Sequence, residues 1–334
     1  MKKRGRGMAI MWYPVGPGGT NVSTARLEMN ADGVLTVFIG SPDVGQGSST
    51  ALAQIAAEAL GIPVESVRVV AADSDVTPPD HGSVGSRVTY VQGNAVRLAA
   101  EQMKAILLAA AGEMLNAPIE DLRIVEGKIG TGQYANIVLD VSVVARHLIG
   151  GRDGPLECSA GFTPAGAPVD RITGQGVLFP SFVYATQIAE VEVDTQTGEV
   201  AVLRMVAAHD SGVVINPLLV EGQIAGGIAQ GLGMALCEEV LLREGRTLNP
   251  SLMDYALPAT VDMPDIQFIH VETVDDAGPY GAKCVAEPSL VPTAPAILNA
   301  IYDAVGVRVR DLPATPEKIL RALALGQPAG SRGD

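Results

Sequence analysis

The chain has 334 residues, of which 47% are hydrophobic, so it is long enough to bury a large core in one to three domains. Its 37 acidic and 23 basic side chains give a formal net charge of -14, which argues against nucleic acid or an anionic membrane surface as the main partner. No apolar run approaches the roughly 18 residues that span a bilayer, and the three scattered cysteines encode neither a disulfide framework nor an iron–sulfur site. We therefore expect a cytoplasmic enzyme or enzyme subunit.

The first 24 residues are predicted to form an N-terminal arm that docks on a partner subunit. Their basic start is followed by a short apolar stretch that Pro14 interrupts, with no convincing signal-peptide cleavage site. The only tryptophan, Trp12, stands beside Tyr13 at the entrance to a glycine-rich stretch that we expect to be flexible. Such an aromatic pair suits docking onto another protein, and the alternative is that it covers a local apolar patch.

Residues 25–150 are predicted to form a first lobe. A β-hairpin is expected over residues 25–29 and 34–39, joined by an Asp-Gly turn. The sequence Asp-Val-Gly-Gln-Gly then leads into a helix that ends at Gly61. A strand, a glycine loop and a helix in this order can point backbone N–H groups at an anion, although an ordinary strand–helix turn explains the pattern as well. The candidate binding residues here are Gly45, Gln46, Gly47 and Thr50.

A repeated Pro-x-Glu sequence flanks a second glycine-rich loop in this lobe. Residues 61–70 and 116–125 each follow a predicted helix and lead into a short strand. The loop over residues 82–94 lies between them and precedes a long helix. Two loops of one kind suggest one ligand, while hydroxyl residues before a helix also serve as local caps. The candidate binding residues in this loop are Gly85, Ser86, Arg87, Thr89 and Gly93.

A connecting excursion is predicted over residues 151–180, followed by a second lobe over residues 181–323 and a flexible tail over residues 324–334. A second hairpin is expected over residues 188–193 and 199–207. The next helix contains Gly222, Gly226 and Gly227, which indicates a close approach by backbone or ligand. Gln223 would face that approach, or else lie on the surface. His209 is expected to be a hydrogen-bonded structural histidine.

Glu287 stands at the predicted start of a helix near the end of the chain. The apolar spacing of residues 290–305 is that of an amphipathic helix, and Pro288 suits its first turn. An acid at this position commonly does no more than complement the helix dipole. The two hairpins and the repeated Pro-x-Glu sequence together predict an α+β fold with two lobes of related hairpin and helix repeats, and not one parallel sheet wound on both sides.

Four motifs in order resemble the C-terminal half of the molybdenum-binding subunit of the xanthine dehydrogenase and aldehyde oxidase family. They are Asp-Val-Gly-Gln-Gly at 43–47, Gly-Ser-Arg-Val-Thr at 85–89, Glu-Gly-Gln-Ile-Ala-Gly-Gly at 221–227 and Gly-Ala-Lys-Cys-Val-Ala-Glu-Pro at 281–288. The resemblance covers nearly the whole chain. Within the family it is nearest to the medium molybdopterin subunits of bacterial nicotinate dehydrogenases.

The resemblance implies a molybdenum hydroxylase that acts on an electron-poor carbon, with water as the oxygen source. Glu287 matches the family glutamate that acts as the base, and Tyr13 is expected near the metal. The two glycine loops, Gln223, Lys283 and Cys284 would hold the molybdopterin cofactor, in its cytosine dinucleotide form. No protein side chain is expected to ligate the metal. The family pattern Gly-Ala-Lys-Gly-x-Gly-Glu has glycine where this chain has Cys284 and Ala286.

The same resemblance implies that the chain works in a complex. A large molybdopterin subunit would supply the other half of the site, and [2Fe–2S] and FAD subunits would carry electrons away. The expected substrate is a small N-heteroaromatic compound such as nicotinate, with a purine or an aldehyde as alternatives. Two other functions stay open at this point, namely a non-catalytic assembly subunit and a simple nucleotide-binding protein that uses residues 43–50.

Overall fold

The computed structural model describes residues 1–16, 21–131, 134–150, 154–166 and 169–326. None of the helices in these ranges is long and apolar enough to cross a membrane. The chain forms two compact units, each discontinuous in sequence. The first unit comprises Met1–Tyr13, Val183–Thr273 and Val285–Asp334, and the second comprises Pro14–Phe182 and Val274–Cys284. The predicted lobes were contiguous, whereas each unit takes residues from two or three separate segments.

The first unit is built on a four-stranded sheet in the order β1-β9-β10-β13. The strands are β1 (Lys2–Val15), β9 (Ser181–Asp194), β10 (Val200–Asp210) and β13 (Asp265–Val271). Four helices complete the unit: α4 (Pro217–Leu236), α5 (Ala286–Leu290), α6 (Thr293–Val305) and α7 (Pro316–Ala324). A short hairpin of β11 (Leu242–Arg243) and β12 (Arg246–Thr247) follows α4.

Alternating side chains on the strands of the first unit form one apolar face. Strand β9 buries every second residue from Ser181 to Val193, and β10 buries Met205, Ala207 and His209. These side chains pack with Ile224 and Ile228 of α4 and with the apolar positions of α6 and α7. The period of two on the strands and the apolar stripe on each helix thus produce a single core.

The second unit contains a four-stranded sheet in the order β4-β3-β2-β8 and a three-stranded sheet in the order β5-β6-β7. The first sheet consists of β2 (Ser23–Met29), β3 (Leu35–Ile39), β4 (Val67–Ala71) and β8 (Leu156–Phe162). The second consists of β5 (Leu122–Val125), β6 (Lys128–Thr131) and β7 (Tyr134–Asp140). The helices are α1 (Ser48–Leu60), α2 (Gly93–Leu115) and α3 (Val141–Ile149).

The two units repeat one topology, which confirms the predicted α+β fold of related hairpin and helix repeats. In each unit an antiparallel hairpin is followed by a helix and then by a strand that pairs in parallel with the second strand of the hairpin. The hairpins are β2–β3 and β9–β10, and the added parallel strands are β4 and β13. The repeated Pro-x-Glu sequences each lie between a helix and a short strand, as predicted, and the structure shows that both form 3-10 turns.

One expectation about irregular segments is wrong, and the opening of the chain is more regular than expected. The predicted excursion contains β8, which pairs along its whole length with β2. The sequence did not predict β8 because only two of its residues, Leu156 and Cys158, are buried apolar residues in alternation. Its partner strand β2 also lies about 130 residues earlier in the chain. The opening of the chain forms β1 over Lys2–Val15, where Arg6 pairs with Glu190 of β9. Docking of the arm on a partner stays a prediction, and the glycines at 18–19 and the tail beyond residue 326 lie outside the described residues.

Candidate functional site

Glu287 lies in the first turn of α5, a helix of only five residues. Its side chain is partly exposed, whereas Pro288 and Ser289 immediately after it are buried. The predicted long helix over 290–305 is therefore preceded by a separate short helix that carries the acid. Helix α5 leaves most of its backbone groups without partners inside the helix, because four N–H groups and four carbonyls at the ends of any helix are unpaired. Other elements must hold it in place.

Helix α4 packs against α5 with one glycine-lined face. Asn216 caps the start of α4 by accepting a hydrogen bond from the N–H of Leu219 at 3.1 Å. A Cβ atom on Gly227 would lie 2.6 Å from Cβ of Ser289, so only glycine permits this approach. Gln223 lies one helical turn earlier on the same face and is partly buried. The close approach predicted for Gly227 is therefore confirmed.

Gly222 and Gly226 line a different face of α4. A Cβ atom at either position would have no atom within 4 Å among the described residues. The spacing of four places both on the solvent-facing side of the helix, one turn apart. No described residue packs closely against these two glycines, and they leave a strip of bare backbone on the unit that carries Glu287.

A buried hydrogen-bond network joins strand β9 to helices α5 and α6. The side-chain amide of Gln187 donates to the carbonyl oxygen of Ser289 at 2.8 Å, and its oxygen accepts from the hydroxyl of Thr293 at 2.6 Å. The same amide nitrogen lies 3.2 Å from Nε2 of His209. Gln187, Ser289 and Thr293 have no exposed surface at all. His209 is thus the hydrogen-bonded structural histidine that the sequence predicted.

His209 is held in its neutral form. Burial, reinforced by the neighbouring His270, lowers its pKa from 6.5 to about 4. Because Nε2 accepts from Gln187, the ring proton resides on Nδ1, which has no hydrogen-bond partner among the described residues. His270 is its neighbour on the parallel strand β13 and contacts Glu221 of α4 at 3.2 Å.

The Asp-Val-Gly-Gln-Gly loop of the second unit is largely closed on itself. The carboxylate of Asp43 accepts hydrogen bonds from the N–H groups of Gly45, Gly47 and Ser49 at 2.9 to 3.2 Å. Burial opposes ionisation of Asp43, but these hydrogen bonds outweigh it and lower its pKa. The donors that we expected to face an external anion are therefore occupied by an acid of the same loop.

Gln46 also bonds within this loop. Its amide nitrogen donates to the carbonyl of Pro42 and to the hydroxyl of Ser48, and its oxygen accepts from the N–H of Val44 at 2.6 Å. Thr50 is exposed in the first turn of α1. This geometry favours the ordinary strand–helix turn, and a cofactor contact by Gly45, Gln46, Gly47 or Thr50 stays a prediction.

Arg87 lies in a charged hub under the second glycine loop. The side chain is 1% exposed and its guanidinium pairs with Asp80 at 2.7 Å. Asp80 also accepts from the hydroxyls of Ser23 and Ser41. Burial raises the pKa of Asp80, but hydrogen bonds from Ser23, Ser41 and Arg87 together lower it below its usual value. Arg87 thus anchors the loop to the ends of β2 and β3, and direct contact with a cofactor stays a prediction.

The exposed part of the second loop is shaped by left-handed backbone at two consecutive residues. Gly85 has φ +59° and Ser86 has φ +49°, which is an uncommon conformation for a residue with a side chain. A Cβ on Gly85 would meet nothing within 4 Å in the described chain. Thr89 follows in a turn of π-helix over Val88–Gln92, a form that often marks functional sites. Gly93, in contrast, is buried against Ile55 and Pro279, which gives it a packing role.

The segment that contains Lys283 and Cys284 returns to the second unit before α5 begins. Asn94 fixes it by donating to the carbonyl of Ala277 at 2.8 Å, while Tyr90 lies 3.5 Å from Asp275. Burial and the charge of Asp275 raise the pKa of Tyr90. Lys283 and Cys284 are both buried. Cys284 therefore occupies a packed position within its unit, which a small side chain suits.

Sequence reasoning did not single out Gln187, Ser289 or Thr293. The available signal was the period of two along β9, where the inward-facing set from Val183 to Val193 is apolar except for Gln187. A polar side chain among apolar core positions indicates a buried hydrogen-bond network. Tyr13 lies partly buried in β1 beside Trp12, which is 65% exposed, and its predicted place near the metal stays a prediction.

The sequence and fold match known proteins along almost the whole chain. Residues 1–264 match the molybdopterin cofactor-binding domain family. The putative xanthine dehydrogenase molybdenum-binding subunit XdhA of Escherichia coli K12 is 35% identical over 327 residues, which cover 95% of this chain and 42% of that protein. The nicotine 6-hydroxylase large subunit of Paenarthrobacter nicotinovorans is 34% identical over 314 residues, which cover 91% of this chain and 37% of that protein.

Two solved structures share the fold. Quinoline 2-oxidoreductase from Pseudomonas putida 86 superposes with a TM-score of 0.85 at 30% identity and covers 97% of this chain and 42% of its own. Aldehyde oxidoreductase from Desulfovibrio gigas gives 0.81 at 32% identity, with 97% of this chain and 33% of its own covered. This chain thus spans less than half the length of each relative. It belongs to the molybdopterin cofactor-binding domains of the xanthine dehydrogenase and aldehyde oxidase family.

Proposed function

We propose that this chain is the molybdopterin-binding part of a molybdenum hydroxylase that hydroxylates an electron-poor carbon of an N-heteroaromatic compound such as nicotinate. Water supplies the oxygen, and two electrons leave the substrate carbon. The observation that carries the proposal is Glu287, a partly exposed acid at the start of a short helix that buried side chains hold in place. The intact acid also favours an enzyme over a non-catalytic assembly subunit.

The names of the relatives support the substrate class. Xanthine, nicotine and quinoline are all electron-poor N-heteroaromatic compounds, and they appear in the names of three of the four relatives described above. The fourth is an aldehyde oxidoreductase, so aldehydes are the alternative substrate class that an assay should compare with N-heteroaromatic compounds. A purine is included in the first class through xanthine. Nicotinate is our specific proposal within it.

The residues present fit a flat, polar cofactor. Gly85, Gly222 and Gly226 present backbone with open space beside it, and no residue of the described ranges lies within 4 Å of a Cβ built at any of them. Ser86 and Gln223 are partly buried polar side chains next to these glycines. Backbone N–H groups and side-chain amides are the donors that hold pterin and phosphate oxygens in general. We therefore assign Gly85, Ser86, Gln223 and the flanking glycines to binding of the molybdopterin cofactor. We propose that this cofactor is the cytosine dinucleotide form.

The chain contributes a base and a rigid support to the reaction. When bound, the molybdenum cofactor supplies the two-electron oxidation of the substrate carbon. The carboxylate of Glu287 accepts the proton that water loses as the new carbon–oxygen bond forms, a role that suits a positioned carboxylate. The buried side chains behind α5 keep this carboxylate in one place. A large molybdopterin subunit completes the walls, and [2Fe–2S] and FAD subunits accept the electrons.

The test of the function is a purified complex of this chain with its partner subunits. We expect stoichiometric molybdenum, cytosine dinucleotide released on hydrolysis, and hydroxylation of nicotinate with an artificial electron acceptor. Oxygen from labelled water should appear in the product. Faster turnover of xanthine or benzaldehyde than of nicotinate would show that a purine or an aldehyde is the substrate. A complex without molybdenum would contradict the proposed function.

The base is tested by Glu287→Gln, which preserves shape and cannot accept the proton. We expect unchanged molybdenum content and turnover lower by a factor on the order of 10² to 10⁴. Glu317→Gln is the matched control, because Glu317 is also an acid in the first turn of a helix of the first unit. Equal activity in the two variants would show that Glu287 is not the base.

A further inference from the structure

We propose that Gln187 is a positioning residue for Glu287, acting through the buried network that fixes helix α5. The inference rests on the proposed function for the role of Glu287 itself. Gln187 is on strand β9, about 100 residues earlier in the chain, and its side chain is fully buried. It bonds instead to Ser289, two residues beyond Glu287 on the same five-residue helix.

The contacts of Gln187 use every hydrogen-bonding group of its side chain. The two amide hydrogens go to the carbonyl of Ser289 and to Nε2 of His209, and the oxygen accepts from the hydroxyl of Thr293. Ser289 in turn donates from its own hydroxyl to the carbonyl of Val285 at 2.6 Å. One buried amide thereby links a sheet strand to the C-terminal part of α5 and to the first residue of α6.

A helix of five residues needs such support. Its carbonyls have few partners within the helix, and Gln187 satisfies the carbonyl of Ser289 in a place that water does not reach. Helix α4 closes the other side, where Gly227 lies against Ser289 and Gly231 against Thr293. These contacts leave Ser289 no space to shift toward α4. The direction in which Glu287 projects is therefore fixed by the network and by two glycines.

The chemistry of the position favours this role over simple core filling. The other inward-facing side chains of β9 from Val183 onward are alanine or valine, so an aliphatic residue would satisfy packing at 187. A buried amide costs free energy unless all its groups are paired, and here they are. Neutral His209 keeps Nε2 free to accept, and its lowered pKa is consistent with that state at physiological pH.

The experiment compares Gln187→Met with Val191→Ala in the full chain, purified with its partner subunits. Methionine keeps the length of the side chain and removes the hydrogen bonds. Val191 is a fully buried residue of the same strand and the same face, so its truncation loosens the core without touching the network. The readouts are hydrogen–deuterium exchange of the peptide that contains α5, molybdenum content, and kcat and KM as functions of pH.

For Gln187→Met we expect the rate of amide hydrogen exchange in α5 to be on the order of tenfold higher than in Val191→Ala. Without the network, α5 should open locally more often, and local opening sets the exchange rate. Molybdenum content should not change. The value of kcat should fall by about 10- to 100-fold with little change in KM, because Glu287 is displaced from its position. Equal exchange and equal kcat in the two variants would overturn the proposal.

A second pair covers the case in which Gln187→Met does not fold. Thr293→Val is isosteric and removes the hydroxyl that donates to Gln187, whereas Thr293→Ser retains it. We expect faster α5 exchange and lower kcat in the valine variant and near-normal values in the serine variant. The opposite order would contradict the role. If the unsubstituted complex held no molybdenum, the proposed function would fail, while the exchange data would still decide whether Gln187 fixes α5.

Discussion

A buried polar cluster lies beside the candidate site residues of each unit, and the two clusters differ in charge. In the second unit the ion pair of Arg87 and Asp80 anchors a glycine loop. In the first unit the neutral amide of Gln187 and the neutral ring of His209 anchor a short helix. Both clusters join segments that are distant in sequence, and both are shielded from water.

The difference shows how charge and neutrality suit different tasks. A buried ion pair holds firmly as long as both partners are present, and it becomes a strong liability when one is lost. Loss of one bond in a neutral network lowers the free energy of unfolding less, because each hydrogen bond contributes only about 0.5–1.5 kcal/mol. The effect of such a network therefore depends more on the geometry of its bonds. We interpret the charged hub as a device for loop stability and the neutral network as a device for placing one carboxylate.

Breaking the charged hub should have the largest effect on stability. Asp80→Leu leaves the guanidinium of Arg87 buried without its counter-ion and should lower the free energy of unfolding by about 3–5 kcal/mol. The double variant Asp80→Leu, Arg87→Met should recover most of this loss. Guanidinium unfolding, with hydrogen exchange assigned to β2 and β3, measures both.

The matched control is Arg6→Ala, which breaks the surface ion pair between Arg6 and Glu190, where the arginine side chain is 75% exposed. Such pairs contribute about 0–1 kcal/mol. If Asp80→Leu costs no more than Arg6→Ala, the hub does not stabilise the second unit in the way we describe.

The neutral network should make stability depend on pH through His209. Its pKa is 6.5 when unfolded and about 4 when folded, so the unfolded chain binds the proton first as pH falls. Stability is therefore unaffected above pH 6.5 and declines between pH 6.5 and 4, by a total on the order of 3 kcal/mol. Asp80 affects stability only below this window. Its pKa in the folded chain is lowered from an ordinary value of 3.8, so its contribution to stability is lost as pH falls below that value.

Subtracting the unfolding curve of His209→Gln from that of the unsubstituted chain isolates this contribution. Glutamine can accept from Gln187 through its own oxygen and does not titrate. Relative to the variant, the unsubstituted chain should lose stability progressively as pH falls from 6.5 to 4. A difference that is constant across this range would show that His209 is not held neutral by the fold.

Filling the packed face of α4 should have a smaller effect. Gly227→Ala places a methyl group against the side chain and backbone of Ser289, so helix α5 must move away. Such overpacking typically costs about 1–3 kcal/mol. We expect lower thermal stability together with faster hydrogen exchange in α5. Unchanged exchange would mean that α5 tolerates displacement and that the network does not fix it.

The open face of the same helix should show the smallest effect on stability, with the opposite sign. Gly222→Ala meets nothing in the described chain, and alanine favours a helix by up to about 1 kcal/mol relative to glycine. The variant should therefore be equally or slightly more stable, while its molybdenum content falls if the bare backbone lies against the cofactor. Normal molybdenum content would remove Gly222 from the cofactor site.

Local structure was largely predictable from the sequence. Both hairpins, the helix that ends at Gly61 and the paired Pro-x-Glu turns were identified from alternation, glycine and proline, because these signals operate within about ten residues. Strands β1 and β8 were not identified, since each depends on pairing with a strand more than 100 residues away. Their own alternation is too short or too weak to predict it.

The candidate site divides in the same way. The sequence by itself determined the family, the acid at Glu287 and the glycines of α4, because residue type and order are what the family motifs consist of. Only the tertiary structure decided that Asp43 occupies the donors of its own loop, that Arg87 is buried in an ion pair, and that Gln187 supports α5. Those facts depend on which groups meet across the core, and the spacing of residues along the chain does not specify a partner more than 100 residues away.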